Sequence, residues 1–444
     1  MTYQETLAYL YQQLPMFSRT GAAAYKNDLH NIISLCEVLG NPQDRLKCIH
    51  VAGTNGKGST SHMLAAILQE AGYKTGLYTS PHIQDFGERI RINGNMIQEY
   101  FVIEFTERIK DVCVQIQPSF FEVTVAMAFE YFAQERTDYV VVETGLGGRL
   151  DSTNIIKPIL SVITNIGYDH MDLLGDTLPA IAKEKAGIIK EDVPVIIGEV
   201  NNETRNIFIE TANEKHAPIT FAEEESIIEY IADEGGLLLC NIKNVENGIV
   251  EKLRLDLVGL YQAKNARTVL SAIAGLRKLG LQIPERALHA GLENVRGITG
   301  LRGRWDVIQK KPSVIIDAAH NKDGIVQVVD QLNTKYQPGE LHFVMGFVKD
   351  KNPETLLDLF PAEAQFYFTN AHSPRAIPHT ELKKIANDKG LRGESFDDIN
   401  DAIQSALTAA SESDVIMVCG SFYILGEINN YTPTSSLDSI KLNP

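Results

Sequence analysis

Short apolar runs alternate with amphipathic stretches along most of the chain, and this alternation limits the fold more than any other feature. CIHVA (48–52), 74–79, YVVVE (139–143), 160–164 and 193–197 read as buried strands. STSHMLAAILQEA (59–71), stopped by Gly72, and residues 121–134 carry the 3.6-residue periodicity of helices. Strands this apolar, separated by helices, predict a mostly parallel sheet covered on both faces. Residues 221–257 break the pattern. They are acidic and hold the turn pairs Gly235-Gly236 and Asn247-Gly248, which predicts β-hairpins. Helices are expected over 261–278 and 284–293. After the Gly/Arg-rich stretch RGITGLRGR (296–304) the alternation restarts. Strands are then expected at 313–317, 341–346, 365–369 and 414–419, with helices at 323–333, 354–359, 380–388 and 398–410.

The length of 444 residues suggests two to four domains, at roughly 100–200 residues each. With 41 Lys+Arg against 57 Asp+Glu, the formal charge is −16. A surface that acidic repels phosphate backbones and anionic bilayers, which argues against nucleic acid and membranes as partners. Any anionic substrate must then be held by locally concentrated cations or metal ions. The five cysteines (Cys36, Cys48, Cys113, Cys240, Cys419) form no CxxC pair and are odd in number. They read as reduced thiols filling the core of a cytoplasmic protein. The start, MTYQETLAYLYQQLP, has no basic, apolar leader pattern, and no run approaches the roughly 18 apolar residues of a membrane span.

Between the strand at 48–52 and the helix that follows lies GTNGKGS (53–59). Glycines let backbone N–H groups converge on phosphate oxygens, and the helix N-terminus adds its partial positive charge. Lys57 supplies a cation for the β- and γ-phosphates, and Ser59 or Thr60 can reach Mg²⁺. The loop is not a strict GxxxxGK[ST]: two residues separate Gly53 from Gly56, and Gly58 precedes Ser59. Strand, loop and helix nonetheless occur in the order a phosphate loop requires.

Further segments join it: TSPH (79–82), FGERIRING (86–94), FFE (120–122), ETGLGGRLDSTN (143–154), NIGYDH (165–170), EKAGII (184–189), and GR (303–304) with DAAHN (317–321). Together these blocks resemble the Mur ligase superfamily, in the form found in folylpolyglutamate and dihydrofolate synthases. They lie in family order from about residue 50 to 320. The resemblance implies an α/β fold, with a P-loop nucleotide-binding domain (1–297) of mostly parallel sheet and a smaller Rossmann-like domain (298–444). It implies an ATP-dependent ligase that joins L-glutamate to dihydropteroate, to folates, or to both, through an acyl phosphate. A monomer is expected.

By the same resemblance, Gly53, Thr54, Asn55, Gly56, Lys57, Gly58, Ser59, Thr60, Asn265, Arg304, Asp317 and His320 match the family's ATP-contacting positions. Ser80, Glu143, His170 and Lys185 match its metal site, expected to hold two Mg²⁺ ions. Lys185 aligns with a lysine that the family carbamylates, a change that needs a neutral amine and hence a depressed pKa. Lys57, Lys185 and His170 are the expected catalytic residues. Phe120, Phe121, Glu122, Asp151 and Arg19 are expected on the acid's side. Two departures stand out. Ser119 stands where Thr is commoner, and Lys322 follows HN where Pro is usual.

Other readings compete. A muramyl-peptide ligase usually carries a domain for its UDP group ahead of the phosphate loop, and Gly53 comes too early for one. A P-loop nucleotide switch would hydrolyse nucleotide without an amino acid and would not need the second α/β unit or the expected metal set. A binding protein with a vestigial site would not need the whole set of charged residues.

Overall fold

The computed structural model describes residues 1–16, 21, 28–334, 336–429 and 431. The chain divides into two compact units. The first comprises Met1–Ala232, Leu239–Asp256 and Gln262–Gly300; the second, Asp233–Leu238, Leu257–Tyr261 and Leu301–Pro444.

In the first unit, β1 (Cys48–Ala52), β2 (Thr75–Tyr78), β3 (Ile90–Ile92), β4 (Asn95–Met96), β5 (Tyr139–Glu143), β6 (Leu160–Ile163), β7 (Val195–Ile197) and β8 (Ile219–Phe221) form one sheet. Its order is β4-β3-β2-β5-β1-β6-β7-β8. From β2 to β8 all pairings are parallel. The expected parallel strands are present. β3 and β4 are additions: they run antiparallel at one edge and come from the FGERIRING segment. β1 lies between β5 and β6, which the chain reaches only after leaving for β2. Such a change of winding direction opens a crevice at the strands' C-terminal ends, where open α/β sheets bind ligands.

The helix Lys57–Glu70 behind β1 is buried on every side from Gly58 to Leu68. This all-round burial explains its lack of a polar face. The helix Glu285–Glu293 packs against it closely: a Cβ on Gly291 would lie 2.7 Å from Ile67 Cα. The hairpin region forms a three-stranded sheet of β9 (Ser226–Glu234), β10 (Leu237–Asn244) and β11 (Val250–Leu255). Gly235 and Gly236, at φ +61° and +81°, supply the two successive positive φ values of a type I′ hairpin turn.

In the second unit, β12 (Asp306–Lys310), β13 (Ser313–Ile316), β14 (Leu341–Met345), β15 (Gln365–Phe368), β16 (Gly393–Ser395) and β17 (Val415–Cys419) take the order β12-β13-β17-β14-β15-β16. All pairs are parallel except β12 with β13. Its core stacks Phe343, Phe366 and Phe368 at centroid spacings of 5.8 Å. All five cysteines are free and buried, and burial raises the thiol pKa of Cys36 and Cys48 to about 12. Among the described residues no helix is long and apolar enough to cross a membrane.

Candidate active site

The phosphate loop is held from outside itself. Thr54 N donates to Asn165 O (3.0 Å), and Asn55 N to Asn165 Oδ1 (2.9 Å). Thr54 Oγ1 both donates to Gly167 O (3.1 Å) and accepts from Gly167 N (2.9 Å). The NIGYDH segment after β6 is therefore a staple for the loop. Gly56 caps the following helix at φ +80° without a side-chain cap, so the first helical N–H groups stay available to an anion. Asn265 fixes this turn from the other side. A Cβ on Gly56 would sit 2.2 Å from Asn265 Oδ1, so only glycine fits. Asn265 Nδ2 donates to Gln262 Oε1 (2.8 Å), and Gln262 Nε2 donates to Ser59 Oγ (3.1 Å). Gln262 is a link the sequence reading passed over.

Two lysines converge on the carbonyl of Gly53. Lys57 Nζ donates to it at 3.1 Å and to Thr54 O at 3.2 Å; Lys185 Nζ donates to it at 2.8 Å. Lys185 is buried, and its pKa falls to about 7, first through lost hydration and then through repulsion by Lys57. Asp169 and Asp151 pull the other way. An amine with that pKa is substantially neutral near pH 7, the state that can capture CO₂.

Glu143 ends β5 and is buried; its Oε2 accepts from Ser80 N (3.2 Å) at the end of β2. The hydroxyls of Thr60, in the first turn after the loop, and of Thr144 are buried without a hydrogen-bond partner. Carboxylates such as that of Glu143 and hydroxyls such as these are the kinds of hard oxygen donor Mg²⁺ prefers. Among the described residues no three His, Cys, Asp or Glu side chains converge as a metal group. An ion here would draw on hydroxyls, water and phosphate, as Mg²⁺ commonly does. His170 has φ +50°, donates its N–H to Asp169 Oδ1 (2.9 Å) and holds Nε2 3.9 Å from the same oxygen.

Several of the residues expected on the acid's side are engaged in the scaffold. Glu122 Oε2 accepts from Ser119 N (2.6 Å) and Oγ (2.8 Å), while Ser119 Oγ accepts from Glu122 N (3.2 Å). This capping box starts the helix Phe120–Gln134, and Ser119 serves it directly. Phe120 is buried against Tyr11 and Phe86. Phe121 is half-buried and its ring tip lies against Gly145, where a Cβ would be 2.5 Å from Phe121 Cζ. Arg19 lies outside the described residues.

Asp151 is buried. Its Oδ1 accepts from Thr153 N (3.0 Å) and Oγ1 (2.5 Å), and its Oδ2 from Leu146 N (2.8 Å). Burial raises its pKa against the pull of these bonds. Because the Thr153 hydroxyl proton goes to Asp151, its oxygen must accept from His50 Nε2, 2.8 Å away. His50, fully buried on β1, is therefore neutral with its proton on Nε2; desolvation lowers its pKa to about 3. The chain His50–Thr153–Asp151 ties β1 to a residue expected on the acid's side, and no local motif announced it.

In the second unit, Asp317 follows β13 and is buried. Its Oδ2 accepts from Tyr261 Oη (2.6 Å) and Trp305 N (2.9 Å), and its Oδ1 from Ala319 N (2.8 Å). Burial raises its pKa, opposed by the Tyr261 bond and the Arg304 charge. The Arg304 guanidinium lies 5.1 Å from the Phe422 ring centre, and the His320 ring 5.7 Å from it. Phe422 thus collects two of the expected nucleotide residues. Asn321 Oδ1 caps the helix Lys322–Asn333 by accepting from Gly324 N (2.9 Å), so Lys322 serves as its first residue without a proline.

Comparison with known proteins agrees with this arrangement. Residues 51–273 match the Mur ligase middle domain, and 303–422 the Mur ligase glutamate ligase domain. The dihydrofolate synthase/folylpolyglutamate synthase of Bacillus subtilis is 32% identical over 438 residues, covering 96% of this chain and 98% of that protein. The folylpolyglutamate synthase of Lacticaseibacillus casei is 32% identical over 444 residues, covering 96% and 98%. The structure of Escherichia coli FolC in complex with DHPP and ADP superposes with a TM-score of 0.83 at 30% identity, covering 96% of both chains. Mycobacterium tuberculosis folylpolyglutamate synthase, complexed with ADP and AMPPCP, gives 0.85 at 29%, covering 97% and 99%. With its fold, its phosphate loop and both ligase domains accounted for in this way, the chain belongs to the Mur ligase family and, within it, to the dihydrofolate synthase/folylpolyglutamate synthase group of ATP-dependent ligases.

Proposed function

We propose that this enzyme adds L-glutamate both to dihydropteroate and to reduced folates, working as a monomer. The observation that carries the chemistry is the pair Lys57 and Lys185 on the Gly53 carbonyl. A carboxylate is a poor electrophile. Attack of its oxygen on the γ-phosphate of ATP yields an acyl phosphate and ADP, and the glutamate amine then displaces phosphate through a tetrahedral intermediate. Both steps gather anions, so their barrier falls mainly by electrostatic stabilisation.

Lys57 and the open helix N-terminus at Gly56 receive the β- and γ-phosphates. Ser59 and Thr60 offer hydroxyls beside them, and Thr54, Asn55 and Asn265 keep the loop in shape. Ser80, Glu143 and His170 would hold Mg²⁺, whose contribution is neutralisation of phosphate charge; carbamylated Lys185 would complete the set for a second ion. CO₂ capture turns the Lys185 amine into a carbamate anion and releases a proton. Asp151 and Phe121 face the acid, while Phe120 and Glu122 support that side from the core. In the second unit we assign Arg304, Asp317 and His320 to the nucleotide.

The test is ADP release with glutamate and, in separate reactions, dihydropteroate and tetrahydrofolate. ADP should require both glutamate and one acid, and both acids should support it. ADP production unaffected by omitting either would exclude a ligase.

A further inference from the structure

Arg89 is a buried cation that none of these roles uses. It closes the short 3-10 helix Phe86–Arg89 and is 6% exposed. Its carbonyl accepts from Thr79 N (3.0 Å), which anchors it one residue before Ser80. Its Nε donates to His82 Nδ1 at 2.7 Å, and the Tyr78 hydroxyl is a further partner. An imidazole that accepts at Nδ1 presents Nε2 as a donor.

The acids nearest in sequence are spent elsewhere. Glu88 accepts from the N–H groups of Ile83, Gln84 and Asp85, and Asp85 accepts from Gly87 N. Among the described residues Arg89 forms no ion pair with Asp or Glu. Burying an uncompensated guanidinium is costly, and a planar fork is the shape that meets a carboxylate through two parallel bonds. Rings surround the pair. Phe120 lies 5.2 Å from the guanidinium carbon, Tyr11 lies 5.6 Å from Phe120 and 6.2 Å from His82, and Phe86 lies 6.4 Å from His82. An apolar shell of this kind strengthens an ion pair by excluding water.

We propose that Arg89, assisted by His82, is the carboxylate subsite for the aryl acid, holding the benzoate-type carboxyl of dihydropteroate before it is phosphorylated. This rests on the pterin-acid reading given under Proposed function. Phosphates already have the loop and Lys57. The position beside Ser80, within aromatic surroundings, suits an arylcarboxylate. A folate presents an uncharged amide where dihydropteroate presents this anion, so Arg89 also biases the enzyme toward the first glutamylation.

The experiment is calorimetric titration of the ADP-loaded enzyme with dihydropteroate and with its carboxamide. Wild type should prefer the acid by about 30-fold, the scale of a charge-assisted pair. Arg89→Gln should bind acid and amide alike, with ADP affinity unchanged. Arg89→Lys keeps the charge without the fork and should retain about a third of the preference or less; it decides the matter if the glutamine variant does not fold. An acid preference that survives in either variant at the wild-type level overturns the subsite alone. Wild type that binds ADP but neither pterin overturns the pterin-acid reading, and the subsite with it.

Discussion

The phosphate loop follows β1 and the residues expected on the acid's side flank β5, its neighbour in the sheet, yet the two regions use their motif residues differently. Around Gly53–Lys57 the support comes from outside: Asn165, Gly167 and Asn265 brace the loop, while the helix start carries no cap and its first N–H groups stay open. On the acid side the motif residues are themselves the braces. Glu122 closes a capping box, Asp151 caps the turn Ser152–Ile155, and Phe120 is core. A phosphate site needs open backbone dipoles, whereas side chains spent on caps and core packing make a stiff scaffold.

The contrast predicts graded effects. Lys57→Ala should lower ligation by roughly 10³-fold or more, since one cation at the developing charge is worth about 4 kcal/mol. Its thermal midpoint should barely move; steady-state ADP release and a melting curve check both. Glu143→Gln should raise the Mg²⁺ concentration needed for half-maximal rate by about tenfold or more, on the scale of lost metal-site partners. An unchanged metal titration would remove Glu143 from the ligand set.

Thr153→Val cuts the His50–Thr153–Asp151 chain and leaves a buried imidazole N–H unpaired, a loss of about 1–3 kcal/mol in urea unfolding. It should raise KM for dihydropteroate while KM for ATP stays put. A parallel rise in both would show that the chain supports the whole sheet rather than the acid side. Ser119→Ala should cost about 1 kcal/mol of stability through the lost cap, with little effect on ATP use.

Lys185 gives a pH signature. Its folded pKa lies near 7, below the unfolded value of 10.5, so between these two the unfolded chain binds more protons and stability rises with pH. In protein kept free of CO₂, where Lys185 is the unmodified amine, Lys185→Met should therefore be more stable than wild type at and below pH 7, by a margin that shrinks as the pH approaches 10. Urea titrations across that range read it directly.

Much of the fold was legible because the strands of a doubly covered sheet are apolar throughout: CIHVA and YVVVE needed no partner to be recognised. The helix Glu99–Ile116 escaped because its outer face carries exposed Tyr100 and Val114, which blur the stripe, and because Gln98 offers no capping bond. β3 escaped because it is three residues long with buried Arg91 in its middle, and β12 because it is a polar edge strand, QK at its end. In the site, the phosphate-loop pattern pointed to Lys57, and the resemblance to Glu143 and Asp317. Neither could reveal Gln262 against Ser59, Tyr261 against Asp317 or Thr153 against His50, since those partners are 203, 56 and 103 residues apart. Such pairings are made by tertiary packing, and no local pattern encodes them.

The central claim is that an inert carboxylate is activated as a mixed anhydride with phosphate. Dihydropteroate labelled with oxygen-18 in its carboxyl group, incubated with the enzyme, ATP, Mg²⁺ and glutamate, tests it most directly. One labelled oxygen should appear in inorganic phosphate for each amide formed. Amide formed with unlabelled phosphate would contradict the account.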